Sequence, residues 1–380
     1  MRVEAIDLVE VHLPFRRAFG HAKAERSVSE AIVVVARSGD HTGFGEILPR
    51  SYVTGETVEQ VFHDHAPRLA LRALEVELDG PETLRRWLTS ELDRAERALA
   101  TFGGLELALW DLLGRALGFP AGAALGPLRA EALPTGVVIG FEIATEALER
   151  HCAMLRWAGR RAVKVKVGRA DDEERLARIG RVLADLPLRL DANGAWTAAE
   201  AVERLRRFAA LEPAPQIASI EQPVSAGDVA GLAQVRGESG VKVMADESLV
   251  TFSDGERLIA ERAADIFSLR LGKNGGFLGT QRLAELARSH GLGVHLGTMV
   301  GESGILSRAG EIFSRWLPGA DCLEGRGQNG SFLAEDLLLN AAEAQENVLD
   351  APGLGVVPSA DRLRAHTRRH VTITRGDRLR

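Results

Sequence analysis

Ala162-Val-Lys-Val-Lys-Val167, Leu188-Arg-Leu-Asp-Ala-Asn193, Ile217-Ala-Ser-Ile-Glu221 and Val241-Lys-Val-Met-Ala-Asp246 decide the fold. Each is a short apolar run carrying charged residues and followed by helix-like sequence. Asp191, Glu221 and Asp246 recur at the spacing of one β/α unit, since a barrel spends about 250 residues on eight such units. Placed at the same end of three successive inner strands, the three carboxylates converge. They repel one another unless a cation sits among them.

Working outward, Val137-Val-Ile-Gly140, Ile266-Phe-Ser-Leu-Arg-Leu271, Gly293-Val-His-Leu-Gly297 and Asp321-Cys-Leu-Glu324 bring the strand candidates to eight. Helical stretches separate them. Thr197 with Glu200 three positions on is a capping box, so the strand carrying Asp191 ends before residue 197. This alternation predicts a closed parallel barrel, with an open doubly wound sheet as competitor.

Residues 1–130 follow another rhythm. Strand-like sequence (Val9, Val11 and Leu13, then Ser29 to Arg37, then Gly43 onward) precedes helical sequence from about Val58 to Leu117. The expectation is an α/β protein with an α+β capping domain over 1–130 and the barrel over 131–345. Residues 346–380 form a return segment whose His370-Val-Thr-Ile-Thr374 packs on the cap. Two segments, near 15–26 and 49–55, read as lid loops over the barrel mouth, with Phe19, His21 and Tyr52 as substrate contacts.

The composition excludes several classes. Apolar residues make up 45% of the 380, which suits a large core. The net charge of −6, with both signs interleaved, argues against nucleic acid or a membrane surface as partner. The arginine-rich end from Arg362 to Arg380 has no interleaved aromatics and reads as a solvated face. Two cysteines, Cys152 and Cys322, form no disulfide framework or metal motif and fit a reducing, cytoplasmic compartment. No signal peptide is read, and no run reaches the ~18 apolar residues of a membrane span.

In a strand, residues two apart share a face, so Lys164 and Lys166 point together into the barrel if Val163, Val165 and Val167 face the helices. Two close amines disfavour each other's charge, so one lysine pKa is expected to fall towards that of a base. Asp191 and Asn193 also share a face. Alternation through Met244 sends Asp246 inward and leaves Glu247 as a supporting group. An all-oxygen set favours Mg²⁺, with Mn²⁺ as substitute, over zinc. Lys273 in Gly272-Lys-Asn-Gly-Gly276 lies one unit after Asp246, and its context is no phosphate-binding loop. His295 reads as a packed core histidine. Glu302 and Glu324 are expected at the mouth, in reach of substrate.

With these residues in place, the chain resembles the enolase superfamily, in particular the muconate lactonizing enzyme subgroup. The resemblance is carried by Lys164-Val-Lys166, Asp191-Ala-Asn-Gly-Ala-Trp196, Ile220-Glu-Gln-Pro223, Ala245-Asp-Glu-Ser248 and Lys273-Asn-Gly-Gly276, in that order, with Ala108-Leu-Trp-Asp-Leu-Leu-Gly114 before them. It covers essentially the whole chain. It implies a modified (β/α)7β barrel and Mg²⁺ on Asp191, Glu221 and Asp246. Lys166 and Lys273 would be facing acid/base residues, with Lys164 supporting Lys166. It also implies a small carboxylate substrate, whose α-proton is removed to give an enediolate, and a homo-oligomer.

Racemisation or epimerisation of an amino-acid derivative is the leading expectation, with muconate-type cycloisomerisation and syn-dehydration as alternatives. A non-catalytic small-molecule-binding barrel is the distant one. Two departures stand out. Dipeptide epimerases of the subgroup tend to carry Asp-x-Asp on the eighth strand, where this chain has Cys322-Leu-Glu-Gly-Arg326. The Met299-Val-Gly-Glu-Ser303 spacing is also one residue longer than the common form.

Overall fold

A computed structural model describes residues 1–21, 24–339 and 350–378, with only the backbone described for 18–21, 24 and 25. Its first layer is a four-stranded antiparallel sheet. β1 (Ala5–His21), β2 (Ala24–Ser38) and β3 (His41–Ile47) follow in order, and β12 (Thr367–Thr374) closes the far edge against β1. The chain end therefore returns to the first domain as a strand.

The second unit is a closed barrel of parallel strands: β4 (Thr135–Ile139), β5 (Val163–Lys166), β6 (Leu188–Asp191), β7 (Ile217–Glu221), β8 (Lys242–Ala245), β9 (Ile266–Leu269), β10 (Gly293–Leu296) and β11 (Leu323–Glu324). Seven strands are each followed by a helix and the eighth ends the ring, which is the (β/α)7β arrangement. The capping box opens the helix Ala198–Ala209, with the Thr197 side chain accepting from the Glu200 N–H. Val163, Val165 and Val167 are buried, as lysines pointing into the barrel require.

The helix Leu99–Leu117 lies between the cap sheet and the barrel, and it is buried on all sides from Leu99 to Gly114. Such all-round apolarity marks a helix with no solvent face. It approaches its neighbours backbone to backbone. A Cβ on Gly45 of β3 would lie 1.9 Å from the Gly104 carbonyl oxygen, and one on Gly103 would lie 2.5 Å from the Gly276 nitrogen. Two buried glutamates of the cap then hold barrel helices by their N-termini, where unpaired N–H groups and the helix dipole favour an acceptor. Glu106 accepts from Phe277 N (2.6 Å) and Leu278 N (3.0 Å). Glu46 accepts from Ser303 N (2.8 Å), Ser303 Oγ (2.7 Å) and Leu306 N (3.1 Å).

One expectation fails in the cap. The segment from Phe15 to His21, read as a lid loop, is the outer part of a β-hairpin, with Phe19 paired to Arg26, Gly20 to Glu25 and His21 to Ala24. Cross-strand hydrogen bonding supplies the order that Arg16, Arg17 and Gly20 do not announce. The hairpin base rests on barrel loops, since Ser29 Oγ donates to the Gly301 carbonyl (2.6 Å) and Phe15 packs edge-on to Phe332. The side chains of Phe19 and His21 lie outside the described residues. Tyr52 is half-buried in the turn after β3, with the Arg26 guanidinium 5.5 Å from its ring centre.

Candidate active site at the C-terminal mouth of the barrel

Strand register sets the site. Lys166 pairs with Asp191 and Asp191 with Glu221, so three charged residues from β5, β6 and β7 stand at one level. Asp246 follows the last residue of β8 and lies just above, because Glu221 pairs with Met244. This is the C-terminal face, where barrel enzymes build their sites.

The acids and bases interlock. Lys164 Nζ lies 3.0 Å from Asp191 Oδ2, 3.3 Å from Glu221 Oε2 and 2.5 Å from Glu324 Oε1. Lys166 Nζ donates to Asp191 Oδ2 (2.7 Å) and Asn193 Oδ1 (2.6 Å). Asn193, at φ 47°, passes the contact on by donating Nδ2 to Glu247 Oε1 (3.0 Å). Gln222, missed in the sequence, accepts from the Asp246 and Ser248 N–H groups with one side-chain oxygen, both at 3.1 Å. That fixes the turn from which Asp246 projects.

The charges follow these contacts. Burial opposes the ionised form of Asp191, yet Lys164 and Lys166 hold its carboxyl well below the ordinary range. Burial likewise opposes Asp246, and Arg270 and Lys273 lower it. Burial raises Glu221, with Asp191 and Asp246 adding to the rise against Lys164. Glu247 is pushed up to about 7 by burial, then by Asp246 and Asp191. The fall expected of one of the two strand lysines does not occur at Lys164. Burial lowers it, but Asp191, Glu221 and Glu324 raise it well above an ordinary lysine, so it stays an ammonium strut.

Two sequence assignments change here. Lys273 sits on the short helix Leu271–Asn274, and its side chain is 0% exposed. Its three N–H donors are spent on Asp246 O (2.7 Å), Asp246 Oδ1 (2.8 Å) and Ser268 O (3.1 Å). It braces a carboxylate and does not present an amine to the mouth. Glu302 is buried and accepts from Met299 N and Ser307 Oγ, both at 2.8 Å, so it caps its own loop and helix. Burial raises it to about 8.

The basic side chain that β9 does send into the mouth is Arg270, which the sequence reading passed over. It contacts Asp246 and lies 3.7 Å from Glu221 Oε1. Its signal was available in the alternation Ser268, Arg270, the same pattern that singles out Lys164 and Lys166.

Glu324 is also committed. It binds Lys164 on one oxygen and Arg189 Nη2 (2.6 Å) on the other. Below it, His295, Asp321 and Cys322 bring potential ligand atoms within 4.8 Å of one another. Arg189 already provides a cation there, 2.8 Å from His295 Nδ1 and 3.9 Å from Cys322 Sγ. His295 is thus the packed histidine expected. A cavity of about 650 Å³ opens at this opposite, N-terminal mouth, bordered by Lys242, Asp265 and His295 among others. It holds none of the converging carboxylates, and it is not the candidate site.

A hard divalent cation fits the upper cluster. Its donors are all carboxylate or amide oxygens. Burial with neighbouring carboxylates makes the full charge of Glu221 unfavourable, and Glu247 Oε2 is buried with no hydrogen-bond partner. Asp191, Glu221 and Asp246 are the residues that would hold the ion.

The comparisons agree with this geometry. Residues 147–362 match the family model described as enolase C-terminal domain-like. The chain is 31% identical to the L-Lys-D/L-Arg epimerase of Methylococcus capsulatus over 373 residues, 94% of this chain and 99% of that protein. It is 28% identical to the N-succinyl-L-Arg/Lys racemase of Bacillus cereus over 315 residues, 82% of this chain and 83% of that one. The solved structure of the Bacillus cereus racemase superposes with a TM-score of 0.84 at 26% identity, covering 98% of this chain and 100% of that one. The muconate lactonizing enzyme of Pseudomonas fluorescens, solved with muconolactone, superposes at 0.81 and 26% identity, covering 97% and 99%. No described helix is long and apolar enough to cross a membrane. An eight-stranded barrel with acids on three successive strands, an antiparallel cap and relatives of this kind place the chain in the enolase superfamily, among the racemases, epimerases and cycloisomerases of its muconate lactonizing branch.

Proposed function

We propose that the protein removes the α-proton of a small carboxylate substrate with Lys166 as base, and that the substrate is an amino-acid derivative with an acylated nitrogen, racemised or epimerised only where a proton also reaches the α-carbon from the face opposite Lys166. The observation that carries this is Lys166 itself. Its Nζ stands beside the converging carboxylates, and its side chain is 16% exposed at the mouth.

A carbon acid beside a carboxylate is very weak, because removing its proton builds a second negative charge on the carboxylate oxygens. A divalent cation, Mg²⁺ with Mn²⁺ as substitute, would supply charge stabilisation that grows as the enediolate forms. The chain's own residues do the rest. Asp191 and Asn193 orient the Lys166 amine, Lys164 holds Asp191, Glu221 and Glu324 in place, and Lys273 and Gln222 fix Asp246.

The acylated nitrogen follows from the eighth strand. Glu324 is taken by Lys164 and Arg189, and Arg326 is taken by Glu311. Glu324 cannot be given to a substrate ammonium without breaking buried ion pairs, and Arg326 would repel one, whereas a neutral amide asks for no counter-ion. The Bacillus cereus relative named for N-succinyl substrates points the same way. One observation favours the second reading, cycloisomerisation or syn elimination: of the lysines at this end, Lys273 is sealed off and Lys166 alone is reachable. We further take the enzyme to be cytoplasmic and homo-oligomeric.

The test is a panel of N-succinyl and N-acetyl amino acids, dipeptides and muconates in D₂O with Mg²⁺, read by mass spectrometry. Deuterium at the α-carbon of acylated amino acids is expected. Turnover confined to free-amine dipeptides would contradict the substrate class, and no exchange in any member would contradict the chemistry.

A further inference from the structure

We infer that Arg270 is the group on the second face of the bound carboxylate, and that it serves there as a permanent cation and not as a second base. The inference rests on the proton-abstraction reading above and adds the stereochemical course.

Its basis is the ring order β10-β11-β4-β5-β6-β7-β8-β9. Four steps separate β5 from β9 in either direction round the ring, so Lys166 at the end of β5 and Arg270 just past the end of β9 stand on opposite walls of one mouth. Both side chains are reachable, at 16% and 15% exposure, while Lys273 is fully enclosed. Leu269 is buried outward against the helices, so alternation turns Ser268 and Arg270 inward. Ser268 Oγ bears this out by donating to Glu221 Oε1 at 3.3 Å. A substrate carboxylate entering this space has an amine on one side and a guanidinium on the other.

The two groups are not chemically equivalent. A lysine amine cycles between neutral and charged forms. A guanidinium keeps its proton in proteins and offers a rigid fork of donors suited to carboxylate oxygens. Lys166 takes the α-proton, and the C–H electron pair moves into the carboxylate to give the enediolate. Arg270 supports the growing oxygen charge by hydrogen bonding.

From there the amine has two balanced exits. It returns the proton to the α-carbon on the same face, which gives exchange with retention. Alternatively, a leaving group on the β-carbon of that face departs with its bonding pair and takes the proton from the Lys166 ammonium, which gives an unsaturated acid and the protonated leaving group. Inversion needs a proton from the Arg270 side and is the slow branch.

Two measurements test this. The first needs no turnover: calorimetric titration of Mg²⁺ into the wild type and Arg270→Gln. Because the guanidinium lies on Asp246 and near Glu221, its removal is expected to tighten Mg²⁺ binding at least threefold. Unchanged or weaker binding would overturn its placement.

The second follows N-succinyl-L-lysine and N-succinyl-D-lysine in D₂O with the Mg²⁺-loaded protein, by proton NMR for α-hydrogen loss and chiral chromatography for inversion. One enantiomer is expected to exchange at least tenfold faster than it inverts, and at least tenfold faster than its mirror image. Arg270→Lys, which installs an amine on the second face, is expected to raise inversion relative to exchange at least tenfold. Inversion as fast as exchange from both enantiomers in the wild type, or a ratio unmoved by Arg270→Lys, would overturn the inference. Absence of all exchange would instead count against the proton-abstraction reading for this substrate class, and the Mg²⁺ titration would then decide the placement of Arg270.

Discussion

Replacing Lys273 by Met separates a structural strut from a catalytic base. Met keeps most of the side-chain volume, so the change removes the ammonium and little packing. Three hydrogen bonds go with it, two to Asp246 and one to the Ser268 carbonyl. Breaking a buried ion pair from one side costs about 3–5 kcal/mol. Arg270 remains on Asp246 and keeps the loss near the lower end. With an unfolding entropy of about 2.1 cal/mol/K per residue, a 380-residue chain loses about 0.8 kcal/mol per degree near its midpoint, so Tm should fall by about 4 °C. Asp246 also loses its brace, so Mg²⁺ binding should weaken by about tenfold, the reach of a misplaced ligand support. Differential scanning calorimetry and Mg²⁺ titration read the two effects. At saturating Mg²⁺, α-proton exchange on the Lys166 face should survive. A variant with unchanged Tm and Mg²⁺ affinity that loses exchange outright would refute this reasoning and restore Lys273 as a base.

Further predictions concern the join between cap and barrel. Burial raises the carboxyls of Glu46 to about 7 and of Glu106 and Glu302 to about 8, from 4.5. Between those values the folded protein holds more protons than the unfolded chain, so stability must fall as pH rises from about 5 to 8. Urea midpoints that climb across this range would show that these groups are ionised throughout. Gly103→Ala would place a Cβ 2.5 Å from the Gly276 nitrogen and 3.1 Å from its Cα, contacts that backbone cannot yield cheaply. It should cost about 1–3 kcal/mol by overpacking, and unfolding equilibria no different from wild type would contradict the close approach.

Much of the fold was legible because parallel barrel strands announce themselves. Eight short apolar runs with helices between them leave few arrangements, and Thr197 with Glu200 fixed a boundary without help from structure. The placing of Lys164, Lys166, Asp191, Glu221 and Asp246 at one end of the barrel was readable because alternation and strand ends are one-dimensional facts. Lys273 was misjudged for a physical reason. The extended backbone stops after Arg270, and the Gly-rich motif drew attention three residues beyond that last inward position, onto a short helix. Applying the alternation rule to β9 would have produced Arg270. Glu302 turned out to be held by its own loop and helix at Met299 and Ser307, whereas Glu324 and Arg189 lay beyond sequence reasoning, because their partners come from other strands. The hairpin through Phe15–His21 was missed for the same cause: pairing with residues 24–26 is invisible along one strand.

The claim that matters most is that one amine, on Lys166, moves the proton. The direct measurement is α-hydrogen exchange of an accepted acylated amino acid in D₂O by the Mg²⁺-loaded wild type and by Lys166→Ala, with Mg²⁺ binding checked by titration in both. The account predicts that the variant still binds Mg²⁺ and loses at least a thousandfold in exchange rate. Exchange within tenfold of wild type in a variant that has lost this amine would contradict it.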